Sequence, residues 1–120
     1  MSHKQAAPMD ATQRTQRIRD LNDAFRKSGG LGGRFMITAG VQGLGPIRVA
    51  GLCRQVIQFE AFTEDNDPYG EHDFGGIKDG GQTFFWKIDT YDKRLEYGSP
   101  DPANPAVTTR VLTLMLAEEY

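Results

Sequence analysis

Apolar residues recur at helical spacing near the start of the chain. Ile18, Leu21 and Phe25 occupy positions i, i+3 and i+7, which lie on one face of an α-helix. The pair Gly29-Gly30 that follows is typical of a helix end, because glycine accepts the left-handed conformation found there. The pattern predicts a helix over residues 12–28, preceded by a flexible tail over residues 1–11.

The middle of the chain is richer in β-forming residues. Arg34–Thr38 is predicted to be a strand. Residues 46–54 are compatible with a short helix, whereas Val56–Phe62 favours a strand, because apolar residues alternate there with others.

A β-hairpin over residues 71–91 is the clearest of the predicted elements. Asp79-Gly80-Gly81 supplies its turn, since glycine adopts positive φ angles at little cost. A three-residue loop groups the apolar side chains on one face, and we therefore predict that register. It places Lys78 opposite Gln82, Phe74 opposite Trp86 and Asp73 opposite Lys87.

The end of the chain shows helical spacing again. Asn104 has the properties of a helix N-cap, with Pro105 at the first helical position. Val107, Val111 and Leu114 then form one stripe, which predicts a final helix of about thirteen residues. The expected fold is α+β: a small antiparallel β-sheet packed against an N-terminal and a C-terminal helix, in a single domain over residues 12–120.

Composition narrows the class of protein. A chain of 120 residues with 38% apolar residues can form one domain with one modest core. It has neither an apolar run of the roughly 20 residues that span a bilayer nor the apolar segment of a secretory signal, so we expect a cytoplasmic protein. Cys53 is the single cysteine, which excludes an internal disulfide and a cysteine zinc cluster.

Charge is divided unevenly along the chain. Residues 1–54 carry a balance of +6 and residues 55–120 a balance of −8, which together give the net charge of −2. Such asymmetry steers association with charged partners, although two halves that fold against each other neutralise part of it. Arg14, Arg17 and Arg19 of the predicted helix are candidates for contact with nucleic acid, but a solvated helix face is the simpler interpretation.

The densest polar segment is Asp65–Gly75, which holds four carboxylates, a histidine, a proline and two glycines. Asp67-Pro68-Tyr69-Gly70 is typical of a β-turn whose aspartate accepts backbone N–H groups. His72 is predicted to be a structural residue, since the hairpin register puts it on the apolar face beside Ile88. An EF-hand is excluded because two of the ligand positions lack an oxygen ligand.

Two uses of this segment remain open from the residues alone. The first is contact with a macromolecular partner, preferably a protein with a basic groove. Its candidate residues are Glu60, Glu64, Asp65, Asp67, Glu71 and Asp73. The second is a divalent metal site. Its ligands would be Asp65, Asp67, Glu71, His72 and Asp73.

Four stretches carry a family resemblance: Asp65–Gly75, Phe85–Asp89, Gly98–Pro102 and Thr109–Tyr120. Together they resemble a family of small bacterial proteins, the domain-of-unknown-function family DUF3768, over about Leu21 to Tyr120. The family carries no established activity, so the resemblance implies no catalytic residue and no cofactor. Its members occur on plasmids and other mobile elements, which implies an accessory role there.

The leading hypothesis for function is a small non-enzymatic binding or accessory protein that acts by stoichiometric contact. One such role is inhibition of a host defence nuclease complex, in the manner of antirestriction or anti-CRISPR proteins. The alternative is a metal-dependent hydrolase or nuclease that uses the carboxylates and histidine of Asp65–Asp73. The residues do not allow a set of nucleophile, base and oxyanion donors to be assembled, which favours the first hypothesis.

Overall fold

The structure, a computed structural model, describes residues 9–120. The predicted α+β class is confirmed, while residues 1–8 of the predicted tail lie outside the described residues. Within residues 9–120, none of the helices combines the length and the apolarity that a bilayer crossing requires. In chain order the elements are α1 (Ala11–Lys27), β1 (Arg34–Ile37), α2 (Ala39–Gln42), α3 (Pro46–Ile57), β2 (Phe74–Asp79), β3 (Gln82–Tyr91) and β4 (Thr109–Leu116), with 3-10 turns at Pro105–Val107 and Ala117–Glu119.

Helix α1 forms where the apolar stripe predicted it. Asp10 caps its start, because its carboxylate accepts the backbone N–H of Gln13 at 2.7 Å. The Gln13 side chain in turn accepts the N–H of Asp10 at 3.1 Å, which completes a capping box. Gly29 and Gly30 follow the helix with φ angles of 76° and 92°, as its end requires.

The four strands form one mixed sheet in the order β1-β4-β3-β2. Its β2–β3 and β3–β4 pairs are antiparallel, but β1 runs parallel to β4, with Phe35 opposite Leu112. The prediction of an antiparallel sheet is therefore wrong at one edge. The connections explain the difference: a tight hairpin turn imposes antiparallel pairing, whereas β1 leads into α2 and α3 and can enter the sheet in the other direction.

All three helices contribute side chains to a core on one face of the sheet. Trp86 is fully buried there, as predicted. Gly75 on the neighbouring strand makes room for the indole, since a Cβ at that position would lie 2.4 Å from Trp86 Nε1. The core consists of Phe25, Val41, Leu52, Val56, Ile77, Phe84, Trp86, Ile88, Leu112 and Leu114.

The predicted hairpin is present, but its register differs by one residue. Asp79 pairs with Gln82, which leaves Gly80 and Gly81 as a two-residue turn with φ angles of 56° and 77°. Positive φ at both positions defines a type I′ turn, whose twist matches the twist of the two strands. The local twist therefore favours the shorter loop over the three-residue loop that the apolar grouping suggested.

The register shift moves side chains between the two faces. Phe74 lies opposite Lys87 rather than Trp86 and packs against Phe85, with ring centroids 5.1 Å apart, away from the core. The predicted opposition of Asp73 and Lys87 is accordingly wrong. Lys87 forms its ion pair within its own strand, 2.9 Å from Asp89.

The predicted C-terminal helix is also wrong. Asn104 does cap a helical turn by accepting the N–H of Ala106 at 2.9 Å, but the turn is a 3-10 helix that ends at Val107. Residues 109–116 form β4 instead, whose side chains at alternate positions point into the core. The same apolar positions fit both periods, and hydrogen-bonding partners on both sides, β1 and β3, decide for the strand.

The strand predicted over Val56–Phe62 is a third correction. Helix α3 continues to Ile57, and residues 58–73 then lead to β2 without helix or strand. Leu52 and Val56, one helical turn apart, are 1% and 0% exposed. Their burial on one helix face stabilises the helical conformation at a segment whose local propensity favours a strand.

Candidate functional site

The segment that the sequence marked as a candidate site lies in the long connection between α3 and β2. We call residues 60–73 the acidic loop. Its turn is the predicted one: the N–H of Gly70 donates to the carbonyl of Asp67 at 3.0 Å, and the Asp67 carboxylate accepts the N–H of His72 at 3.2 Å. A second hydrogen bond stabilises the earlier part of the loop: the Asn66 side chain donates to the carbonyl of Ala61 at 2.8 Å. The loop therefore has a defined shape.

Helix α1 holds the acidic loop from one side. Arg19 Nε donates to the carbonyl of Gly70 at 2.6 Å, and Asn22 Nδ2 donates to the carbonyl of Glu71 at 2.9 Å. The Asp23 carboxylate meets Nδ1 of His72 at 2.9 Å. Three polar side chains of one helix face thus meet three consecutive residues of the loop.

His72 is enclosed on several sides. Its ring stacks on Phe62 with centroids 3.7 Å apart and planes 3° from parallel. Nδ1 lies beside Asp23, and Nε2 lies 3.5 Å from a carboxylate oxygen of Asp67, whose side chain is only 6% exposed. The backbone of His72 is left-handed, with φ of 53°. The structural role predicted for His72 fits this environment, but its neighbours are Phe62 and two carboxylates rather than the apolar face of the hairpin.

Arg26 extends the same network into the core. Its guanidinium is fully buried and donates to the carbonyls of Val56 and Ile57, at 2.9 and 3.0 Å, at the C-terminal end of α3. A cation is stabilised there by the partial negative charge of the helix terminus. The guanidinium also lies 5.2 Å from the Trp86 ring centroid and 3.2 Å from the Asp23 carboxylate. The Asp23 carboxylate therefore contacts both the Arg26 guanidinium and the His72 ring.

Sequence reasoning missed the residues of α1 in this network. Arg19, Asn22, Asp23 and Arg26 fall at i, i+3, i+4 and i+7, the spacing of a buried helix face. Asn22 and Arg26 are 2% and 0% exposed. The periodicity was present in the sequence, but polar residues at that spacing are usually solvated, so only the partner groups on the loop reveal their burial.

The six candidate contact residues occupy different environments. Glu64 and Asp65 are exposed, as is Glu60, whose carboxylate lies 3.2 Å from Lys27 Nζ. Asp67 is taken up by the contacts to His72. Burial is the main cause that raises the pKa of both the Glu71 and Asp73 carboxyls, and the negative charges of nearby carboxylates add to it.

In the described part of the chain, the residues of the alternative metal site do not have the geometry of a metal site. Within residues 9–120, no three His, Cys, Asp or Glu side chains are placed to hold one metal ion together. Asp65 points outward as an exposed residue, while His72 is held between Asp23 and Asp67. Cys53 is a half-buried thiol, and burial raises its pKa, which lowers the fraction of reactive thiolate.

The arginines proposed for nucleic-acid contact are separated by their own partners. Arg14 forms an ion pair with Asp101 at 2.5 Å, and its hydrogen bond is the main cause that lowers the pKa of that carboxyl. Arg19 is bonded to the carbonyl of Gly70. Arg17 is exposed. Two of the three guanidinium groups are therefore engaged in contacts within the protein.

Comparison with known proteins bears on the family alone. A family whose description reads "Protein of unknown function (DUF3768)" matches residues 37–119, a span that includes α2, α3 and the strands β2, β3 and β4. No curated protein and no solved structure matches the chain. Since the match covers well over half of its residues, the chain belongs to the DUF3768 family.

Proposed function

We propose that this protein is a non-enzymatic binding protein that acts by stoichiometric contact with a protein partner, through the exposed part of the acidic loop. One observation carries the proposal. Helix α1 and the loop's own hydrogen bonds hold the backbone of the loop, while Glu64, Asp65 and Tyr69 remain exposed.

Preorganisation supports a binding role. A loop that is already held in one conformation loses less conformational entropy when it meets a partner. Tyr69 stands at the turn next to Pro68 and is 82% exposed. Tyrosine is enriched among residues that dominate interface energetics, because its large ring fills a pocket and its hydroxyl remains hydrogen-bonded.

Charge defines the class of partner. Glu64 and Asp65 precede the exposed tyrosine in the acidic loop, which contains no lysine or arginine. Such a surface complements a basic groove, of the kind that binds nucleic acid. We therefore propose an accessory protein of mobile elements that inhibits a host defence nuclease by occupying its nucleic-acid groove, in the manner of antirestriction or anti-CRISPR proteins.

The test begins with capture of partners from bacterial lysate by the tagged full chain, after nuclease treatment, followed by kinetics with the purified partner. We expect Tyr69→Ala to weaken binding by roughly thirtyfold, the loss of a typical hot-spot residue. Tyr97→Ala is the matched control, because Tyr97 is 73% exposed but lies outside the acidic loop. A larger loss of affinity for Tyr69→Ala than for Tyr97→Ala supports the proposed surface.

Charge is tested in the same assay. The double variant Glu64→Gln/Asp65→Asn should slow association, and added salt should slow the parent protein in the same way. Glu118→Gln, an exposed acid elsewhere, should leave association unchanged. Equal binding by all variants would contradict the proposal. Turnover of a nuclease or esterase substrate that Asp73→Ala abolishes with the fold intact would establish the hydrolase hypothesis instead.

A further inference from the structure

A groove of about 360 Å³ lies away from the acidic loop, between the C-terminal half of α1, the glycine-rich segment after it and residues 93–110. Its walls are mostly apolar, with two cationic side chains among them. The residues that matter here are Leu21, Phe25, Leu31, Pro105, Lys93 and Arg110. A concave, mostly apolar site with few polar groups has the character of small-ligand sites, and its volume is within their usual range.

Arg110 is the unusual member of this lining. It is 7% exposed, yet the groups it bonds are neutral: Nε donates to the Asn22 side chain at 2.7 Å and Nη2 to the carbonyl of Pro102 at 2.6 Å. Within residues 9–120, no carboxylate oxygen lies within 4.0 Å of its guanidinium, and Nη1 donates no hydrogen bond. A buried cation without an opposite charge is costly for the fold.

The other buried arginine sharpens the contrast. Arg26 has the Asp23 carboxylate at 3.2 Å and the C-terminal carbonyls of α3. Arg110 has neither: burial and the nearby charge of Arg17 lower its pKa, and the negative charge of Glu71, which forms no ion pair with it, offsets only part of that shift. Its guanidinium therefore lacks a direct ion-pair partner at the wall of a groove.

Lys93 reinforces that charge. It is exposed at the rim of the same groove, and no aspartate or glutamate lines the cavity. The lining hydroxyls of Ser28 and Thr108 are already engaged with backbone carbonyls, at 2.8 Å in each case. The lining of the groove thus combines an apolar surface with Arg110, whose Nη1 amino group donates no hydrogen bond, and with the ammonium group of Lys93.

We propose that this groove binds a small amphipathic carboxylate, with the carboxylate at Arg110 and Lys93 and the apolar body against Leu21, Phe25 and Leu31. A carboxylate supplies the acceptor and the negative charge that Nη1 of Arg110 lacks. Leu31 is 82% exposed in the free protein, and contact with the apolar body of the ligand would remove it from water. No residue of the acidic loop lines this groove, and the proposal does not rest on the partner proposed for that loop.

The test uses the full chain with 1-naphthoate and octanoate as probes, and with 1-naphthamide and octanamide as neutral isosteres, followed by calorimetry and two-dimensional amide NMR. We expect the acids to bind and to shift the resonances of residues around Leu31 and Lys93, and the amides to bind much more weakly. Equal binding of acid and amide, or no binding of either acid, would overturn the proposal. Binding of peptides that end in an apolar residue, in the absence of acid binding, would also overturn it and point to a protein segment as the occupant.

Variants place the ligand within the groove. Lys93→Gln should weaken acid binding by roughly tenfold, the loss of one charge-assisted hydrogen bond. Leu31→Ser should weaken it as well, and both residues are exposed, so the fold is preserved. Lys78→Gln on the hairpin is the matched control and should change nothing. If Lys78→Gln weakens binding as much as Lys93→Gln, attraction to surface charge explains the data and the groove is not the site.

Discussion

Asp23 and His72 join helix α1 to the acidic loop: Nδ1 of the histidine lies 2.9 Å from one carboxylate oxygen and 3.0 Å from the other. The two residues are 49 positions apart in the sequence. The same carboxylate neutralises Arg26, which is fully buried beneath it. One side chain therefore supports both the position of the loop and a buried cation.

Removal of this carboxylate should be strongly destabilising. Asp23→Ala leaves Arg26 buried without its acidic partner, which costs about 3–5 kcal/mol in comparable pairs. Asp23→Asn should cost less, because the amide oxygen still accepts a hydrogen bond. Asp20→Ala on the exposed face of α1 is the control and should stay within about 0.5 kcal/mol. Urea unfolding measures all three free energies, and equal values for Asp23→Ala and Asp20→Ala would show that the network is not stabilising.

Trp86 is the largest fully buried side chain of the core. Trp86→Ala should lower the free energy of unfolding by about 3–5 kcal/mol, since it removes apolar contacts and leaves a cavity. Gly75→Ala should also destabilise, because its Cβ would lie 2.4 Å from the indole nitrogen. The double variant Gly75→Ala/Trp86→Ala should lose less free energy of unfolding than the sum of the two single losses, because the smaller side chain at position 86 leaves space for the new methyl group. Additive losses would contradict that contact.

The hairpin turn requires positive φ at both central residues. Gly81→Ala meets no atom within 4 Å, so its cost of about 1–2 kcal/mol comes from the backbone conformation alone. Gly81→Asn should cost less, because asparagine tolerates the left-handed region better. Gly98→Ala, which also meets no atom within 4 Å and has no positive φ, is the control. Thermal unfolding that ranks Asn and Ala at position 81 in the opposite order would rule out the type I′ turn.

The half-buried acids Glu71 and Asp73 should weaken the fold as they ionise. Burial raises their pKa values above the ordinary 4.5 and 3.8. A carboxyl whose pKa is higher in the folded state binds its proton more tightly there, so stability falls as pH rises between the unfolded and the folded pKa.

Substitution by the amides should therefore stabilise the protein near neutral pH. We expect Glu71→Gln and Asp73→Asn to melt at higher temperature than the parent at pH 7, with an advantage that disappears as pH falls below about 4, near the unfolded pKa values. Glu118→Gln serves as the exposed control. Lower melting temperatures of the amide variants at pH 7 would contradict this sign. They would show that the favourable charges, Arg14 and Arg110 for Glu71 and His72 for Asp73, outweigh the cost of burial.

Local chemistry accounts for the elements that were predicted correctly. The start of α1 depends on a cap next to it, its end on two glycines, and the hairpin on a glycine turn between two apolar runs. The burial of Trp86 follows from alternation along β3, which a register error of one residue on β2 does not change. The Asp67–Gly70 turn is likewise encoded by a few adjacent residues.

Tertiary structure decided the remainder. The apolar residues after Asn104 fit a helix and a strand equally well, and β4 forms because β1 and β3 offer hydrogen-bonding partners on both sides. The parallel direction of β1 and the length of α3 likewise depend on packing between distant elements.

The acidic segment could be found from the sequence, but its division into buried and exposed acids could not. The side chain of Asp67 is buried against His72, which α1 in turn holds through Asp23, while Glu64 and Asp65 remain exposed. That division depends on Asp23 and Arg26, which lie far from the acidic loop in the sequence, and the residues next to them do not indicate this role. Side-chain periodicity identifies the face of a helix or a strand, but only the groups packed against that face determine whether its charges are solvated, paired or, as at Arg110 on β4, buried without an ion-pair partner.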